Sequence, residues 1–259
     1  MLKIRGYDTI GDIAILKFPE GTALLEKKRL SKELLLERNS IHTILEKSEK
    51  IKGRLRTSKL KFLAGENKTV TIHKESGCLF KVDVSTCYFS PRLSTERLDI
   101  AKKIKKSDTV LVLFAGVSPY AIVLGKIAKP KKIVSIELGK DCCKYGKENV
   151  SLNKLNNIEI LQGDVKRIIP KLNEKFSVIL MPRPQLKENF LKEAFSVSKK
   201  NSIIFFRAFA KESELEKIKE EIAKEAQVNK KKIKILKISK AGEISPYKFR
   251  WNIEFKVLN

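Results

Sequence analysis

Apolar residues in this chain first recur in short clusters, then alternate singly, and from residue 93 onward fall into blocks of strand and helix period. A short strand is expected around Ile13-Ala-Ile-Leu-Lys-Phe18, followed by a helical stretch from about Thr22 to Leu36. The apolar run Ile41 to Glu46 comes next, then a basic segment from Lys50 to Lys61 and turn chemistry at Gly65-Glu-Asn-Lys68. Thr69 to His73 and Cys78 to Val84 alternate at period two around Glu75-Ser-Gly77, which predicts a hairpin.

Beyond Leu93 the pattern becomes repetitive. Leu98, Ala101 and Ile104 share a helical face, and Thr109 to Phe114 is a nearly all-apolar run suited to a strand buried on both sides. Further strands are predicted at 133–137, 158–161, 177–181 and 202–206, with helices at 119–128, 141–152 and 187–198. A charged helix over 212–226 and two strands, 233–238 and 251–257, complete the chain. Strand alternating with helix predicts an α/β fold, an open and mainly parallel sheet with helices on both faces. A small α+β domain over 1–62 and a larger domain over 63–259 are expected.

In sheets of this kind ligands bind beyond the carboxyl ends of the strands. Three features are in register there. Gly116 sits in the loop Phe114-Ala-Gly-Val-Ser-Pro-Tyr120 after the first strand, Glu137 ends the second, and Gly163-Asp164 follows the third. A glycine turn admits a ligand close to the backbone, Glu137 can bond two ribose hydroxyls, and Asp164 can accept from an adenine amino group or cap a helix. The loop carries neither G-x-G-x-x-G nor G-K-[ST]. A nucleoside cofactor without a phosphate, S-adenosylmethionine, fits this set best.

Charge narrows the partner. There are 55 Lys and Arg against 30 Asp and Glu, a net +25 over 259 residues. Ion-pair networks need acids in similar number, so the excess points to a phosphate backbone. No run of 18 apolar residues exists and the start lacks a signal-peptide core, so a cytoplasmic protein without membrane insertion is expected. Cys78, Cys87, Cys142 and Cys143 form no C-x-x-C pair, which argues against a metal site and a disulfide framework. His42 and His73 occupy alternating positions where histidine is usually structural.

The string Phe89-Ser-Pro-Arg-Leu-Ser-Thr-Glu-Arg97, with FAGVSPYAI, IEL, KENVSLNKL, GDV and MPRP after it, closely resembles the archaeal and eukaryotic family that methylates N1 of guanosine 37 in tRNA. The resemblance covers nearly the whole chain. It implies a Rossmann-like class I methyltransferase sheet with a smaller amino-terminal α+β domain, a short form without the family's additional amino-terminal domain. It implies an enzyme acting as a monomer on the tRNA anticodon stem-loop with S-adenosylmethionine. Tyr88, Phe114, Gly116, Glu137, Asp164 and Pro184 would hold the cofactor.

Guanine N1 carries a proton, so a base must remove it before the nitrogen can attack. Glu96 is the acid expected to do so, and Arg56, from the small domain, resembles the residue that offsets charge on the base's O6. Arg54, Lys59, Arg92 and Arg97 are the expected RNA contacts, with Arg92 and Arg97 able instead to organise the turn. Departures from the family pattern are Val112, Ser118, Gly139-Lys140 and Pro182, the last in place of an asparagine. They leave room for C7 methylation of the wyosine precursor at the same position. Two other readings stand beside this one: an aminocarboxypropyl transferase using the same cofactor, and a non-catalytic basic RNA-binding protein.

Overall fold

The computed structural model describes residues 6–47, 59–182 and 188–259. The amino-terminal unit begins with β1 (Asp8–Ile10) and β2 (Ile13–Leu16), an antiparallel pair turned at Gly11. A crossover through α1 (Leu24–Glu37) brings β3 (Thr43–Lys47) parallel to β2, and β4 (Leu60–Gly65) closes the four-stranded sheet antiparallel to β3. Leu34 of α1 packs there on Ala14, Leu16, Ile44 and Leu63. Neither β1 nor β4 is visible in the apolar pattern, and the expected boundary after residue 62 falls inside β4. Pairing with β3, rather than composition, decides where β4 belongs.

The expected hairpin forms as β5 (Val70–Glu75) and β6 (Cys78–Asp83), with Ser76 and Gly77 both at positive φ in the turn. It joins the two units. Gly11 has φ +56°, and a Cβ there would lie 2.1 Å from Thr71 Oγ1, so only glycine lets the β1–β2 turn approach β5 this closely. The Gly11 amide donates to His73 Nδ1 at 3.2 Å, and the Thr71 hydroxyl donates to Asp12 at 2.6 Å. His73 is structural, as its position suggested.

The remaining elements are α2 (Ser94–Ala101), β7 (Thr109–Leu113), α3 (Pro119–Ile127), β8 (Lys132–Glu137), α4 (Lys140–Leu152), β9 (Ile158–Gln162), α5 (Val165–Ile168), β10 (Phe176–Met181), α6 (Leu191–Ser196), β11 (Ser198–Ala210), α7 (Leu215–Val228), β12 (Ile233–Ser245) and β13 (Lys248–Val257). Seven strands form one sheet in the order β12-β13-β11-β10-β7-β8-β9. The run β9 to β11 is parallel; β13 is antiparallel to both β11 and β12. This is the α/β architecture expected. Several elements differ in length: the helix expected over 187–198 is confined to 191–196, and the strands expected over 202–206, 233–238 and 251–257 extend over 198–210, 233–245 and 248–257. Pairing on both edges, with β10 and β13, holds β11 extended well beyond its apolar centre.

The two faces of this sheet are covered unequally. Leu111, Leu113, Ile179, Ile204, Phe206, Ile253 and Phe255 pack under α6 and α7 in a core that runs nearly the full width. On the other face Val110, Val112, Val178 and Leu180 meet α2, α3 and the hairpin, and this core thins out at β11. There, on the face opposite α6 and α7, polar rows stand in register across three strands. Arg207 pairs with Asn252 and Ser239 with Asn252; Phe205 pairs with Glu254 and Lys237 with Glu254. Together they floor an open cleft.

Candidate active site

The loop after β7 is held by a carboxylate. Gly116, at φ +58°, donates its amide to Glu137 Oε2 at 2.7 Å, and Gly139 donates to Glu137 Oε1 at 2.8 Å. Glu137 therefore ties the ends of β7 and β8 together beneath the mouth of a small cavity. Tyr88, Phe114, Ala115, Gly116, Pro119, Glu137, Cys142 and Pro182 are among its walls. Phe114 stands edge-on to Phe190, ring centres 4.9 Å apart. Asp164 caps α5, accepting from the Lys166 amide at 2.9 Å; this was the structural alternative to its adenine role.

A second and larger cleft, about 630 Å³, opens beside the first. Leu93, Tyr120, Pro182 and Arg207 line both. The Pro91 turn and α2 form one wall, carrying Arg92, Thr95, Glu96 and Lys103, and the polar rows of β11, β13 and β12 form the other. Lys103 closes the far end through an ion pair with Glu254.

Glu96 stands at the centre, its side chain 13% exposed. Its Oε1 accepts from the Tyr120 hydroxyl and from Arg207 Nη2, which also donates to the Tyr120 oxygen at 2.5 Å. Its Oε2 is buried without a hydrogen bond among the described residues, and the Asn252 amide stands beside the carboxylate. Burial alone would raise the Glu96 pKa; Arg207, Asn252 and Tyr120 outweigh it and hold the group below its ordinary value. Glu96 is thus a carboxylate at neutral pH. Burial likewise raises the Tyr120 hydroxyl, which stays a proton donor.

The expected site residues separate under this geometry. Tyr88, Phe114, Gly116 and Glu137 converge on the smaller cavity. Arg92 lines the larger cleft, 73% exposed, and pairs with Asp8 at 2.8 Å; Lys59 is exposed on the small domain. Arg97 is corrected as an RNA contact. It is 1% exposed, gives Nε and Nη2 to the two Glu75 oxygens at 2.5 Å each and donates to the Ser90 carbonyl at 3.1 Å, so it organises the turn. Arg54, Arg56 and Pro184 lie outside the described residues. Sequence reasoning missed Tyr120, Arg207 and Asn252. One signal was present: an arginine inside the apolar run Ile203-Ile-Phe-Phe-Arg-Ala-Phe-Ala210 can be buried only beside a partner.

The profile of the TRM5/TYW2 methyltransferase domain matches residues 71–236, and that of the TYW2 N-terminal domain matches residues 2–69. The chain belongs to the TRM5/TYW2 methyltransferase family. It is 33% identical over 256 residues to a tRNA (guanine(37)-N(1))-methyltransferase, Trm5b, of Pyrococcus abyssi, covering 97% of this chain and 74% of that one. It is 32% identical to the tRNA (guanine(37)-N(1))/4-demethylwyosine(37)-methyltransferase Taw22 of Nanoarchaeum equitans, covering 97% of this chain and 99% of that one. A tRNA(Phe) (4-demethylwyosine(37)-C(7)) aminocarboxypropyltransferase of Methanocaldococcus jannaschii is also 32% identical, over 77% of this chain and 76% of its own length.

Solved structures agree. The Pyrococcus abyssi Trm5b crystal structure superposes with a TM-score of 0.88 at 30% identity, covering 98% of this chain and 75% of that one. A Trm5 complex with tRNALeu gives 0.86 at 30% identity, covering 99% and 73%. Methanocaldococcus jannaschii Trm5 with adenosine gives 0.83 at 28% identity, covering 99% and 75%. The boundary between the two matched profiles, after residue 69, follows β4 and precedes the hairpin.

Proposed function

We propose that this family methyltransferase transfers the methyl group of S-adenosylmethionine to N1 of guanosine 37 in the tRNA anticodon loop, acting as a monomer in the cytoplasm. The observation that carries the reading is the buried Glu96 carboxylate. It lines the larger cleft and is bonded to Tyr120 and Arg207, which also line the cavity beside Gly116. A purine in the cleft and a nucleoside in the cavity would meet at that junction. The smaller cavity suits a nucleoside: an acid tied beneath a glycine turn for the ribose, and Phe114, Ala115, Pro119 and Cys142 for apolar faces.

S-adenosylmethionine, when bound, supplies a methyl group on a sulfonium, so the carbon–sulfur electron pair leaves with sulfur. The chain's own residues supply the rest. Glu137, Gly116, Tyr88, Phe114 and Pro184 would hold the cofactor, while Glu96 Oε2, deprotonated and without a hydrogen bond among the described residues, accepts the N1 proton and later releases it to solvent. A positioned base of this kind contributes roughly 100- to 10,000-fold. To reach the cleft the base must leave its stack. Arg54, Lys59 and Arg92 would guide the loop phosphates.

Nucleoside mass spectrometry of tRNA incubated with the protein and labelled cofactor tests this. One N1-methylguanosine per tRNA, absent when position 37 is not guanosine, is the expected product; an aminocarboxypropyl adduct or no product refutes the reading. The Nanoarchaeum equitans relative, matched along almost its whole length, favours a second activity at C7 of 4-demethylwyosine. The same assay on tRNA bearing that base decides it.

A further inference from the structure

We infer that Arg207 takes up charge at the purine's O6 alongside Arg56, to which the family resemblance gives that role, and that with Glu96 it selects guanine over adenine. The inference rests on the proposed guanosine-37 activity. Arg207 follows the last β10–β11 pair, Met181 with Phe206, so it projects where β10 has just ended at Pro182. On its other side it stands opposite Asn252 of β13. Pairing with β13 therefore fixes its backbone, and Tyr120 and Glu96 fix its guanidinium. Arg207 is 5% exposed and lines both cavities.

The Watson–Crick edge of guanine presents N1–H, a donor, beside O6, an acceptor. Glu96 and Arg207 present an acceptor beside a donor, the matching order. Adenine offers an acceptor at N1 and donors at N6, which would face carboxylate and guanidinium with like against like. As the N1 proton moves to Glu96, electron density shifts from N1 onto O6, one ring atom away. A guanidinium already bonded to that carboxylate is within reach of this oxygen. The N1 lone pair then forms the new N–C bond, the ring returns to neutrality, and Arg207 returns to its bonds with Glu96 and Tyr120.

Single-turnover methylation by the full chain, with tRNA carrying guanosine or 6-thioguanosine at position 37, tests the assignment. Sulfur is a weak acceptor, so Arg207 has less to offer the second substrate. Arg207→Met is expected to slow guanosine methylation by about 100- to 1,000-fold with unchanged KM for tRNA, as loss of a preorganised donor does. With 6-thioguanosine the same change should cost less than about 10-fold. Equal penalties on both substrates would overturn the O6 role.

Carbon-13 NMR of the Glu96 carboxyl reads the pair without tRNA. Removing Arg207 should raise its pKa, and the other groups facing it are Tyr120 of α3, Asn252 and Arg250 of β13, Asp99 of its own helix, and the Lys103–Glu254 pair at the cleft's far end. An unmoved titration would also overturn the assignment. If Arg207→Met fails to fold, Arg207→Lys and Tyr120→Phe take its place: each should slow guanosine more than 6-thioguanosine, and equal effects would refute the role. Wild-type protein that makes no N1-methylguanosine would remove the proposed activity itself, whereas activity indifferent to position 207 removes only this inference.

Discussion

Helix α2 is flanked by two buried arginine–glutamate pairs, one facing the small domain and one facing the cleft. Arg97 meets Glu75 through two parallel hydrogen bonds, caps the Ser90 carbonyl and lies between the Phe89 and Tyr120 rings, 5.3 and 5.7 Å from their centres. Glu75 also faces His73, whose other nitrogen holds the Gly11 amide, so this pair is one link in a chain from the small sheet to the FSPR turn. Arg207 and Glu96 are nearly as buried, yet Arg207 borders both cavities and Glu96 keeps one oxygen without a hydrogen bond among the described residues. A pair satisfied on every side fixes the architecture. A pair that leaves an acceptor beside a cavity has something left to offer a substrate.

The sharpest way to separate them is to remove one charge from each pair. Glu96→Gln should lower single-turnover methylation by about 100- to 10,000-fold while tRNA affinity, measured by filter binding, stays within about 2-fold. An unaltered rate would take Glu96 out of the reaction. Arg97→Met, by contrast, leaves Glu75 buried beside an apolar side chain and should destabilise the fold by about 3–5 kcal/mol in urea melts. A variant as stable as wild type would show that the Arg97 pair contributes nothing to the architecture.

The same contrast marks what the sequence could reveal. The parallel half of the sheet was legible because both of its faces are covered, which makes β7, β8 and β10 continuous apolar runs. Its loops carry Gly116 and Glu137 at fixed offsets from strand ends, so the cofactor side was legible too. The antiparallel half has one face that is polar and open, and its strands read only by their buried alternation. That half supplies Arg207 and Asn252, from strands far apart in the chain that meet only through the β11–β13 register. The arginine that the resemblance set against the base, Arg56, lies outside the described residues, and Arg97, adjacent to Glu96 in sequence, turns to the other side of the helix. β1 was lost because three residues carry little periodicity, and β4 because it begins within the basic segment.

On the cofactor side, Glu137 both anchors the glycine turn and faces the cavity. Glu137→Ala should weaken S-adenosylmethionine binding by about 10- to 100-fold in calorimetry, the scale of lost hydrogen bonds to a charged group. Glu137→Gln keeps the shape and one acceptor, and should fall between. An unchanged dissociation constant in both would exclude the ribose role and leave Glu137 as an anchor of the turn alone.

The smallest effect expected is on the pH dependence of stability, and it bears on both pairs. Burial pushes Glu75 up, but His73 and Arg97 outweigh it; burial pushes Glu96 up, but Arg207, Asn252 and Tyr120 outweigh it. Both carboxyls are thus depressed in the folded protein relative to an ordinary value of 4.5. A depressed folded pKa means that the unfolded chain binds protons first as pH falls, so the stabilisation is complete above about pH 5 and is lost through the acid range below it. The double variant Glu75→Leu, Arg97→Met removes one pair without leaving a buried charge, and such replacements are often close to neutral near pH 7. Its unfolding free energy between pH 6 and pH 3 should therefore fall less steeply than that of wild type, by about the slope of one titrating carboxyl. Parallel slopes would mean that Glu75 is not depressed by its partners, and that the enclosed pair differs from the cleft pair in electrostatics as well as in exposure.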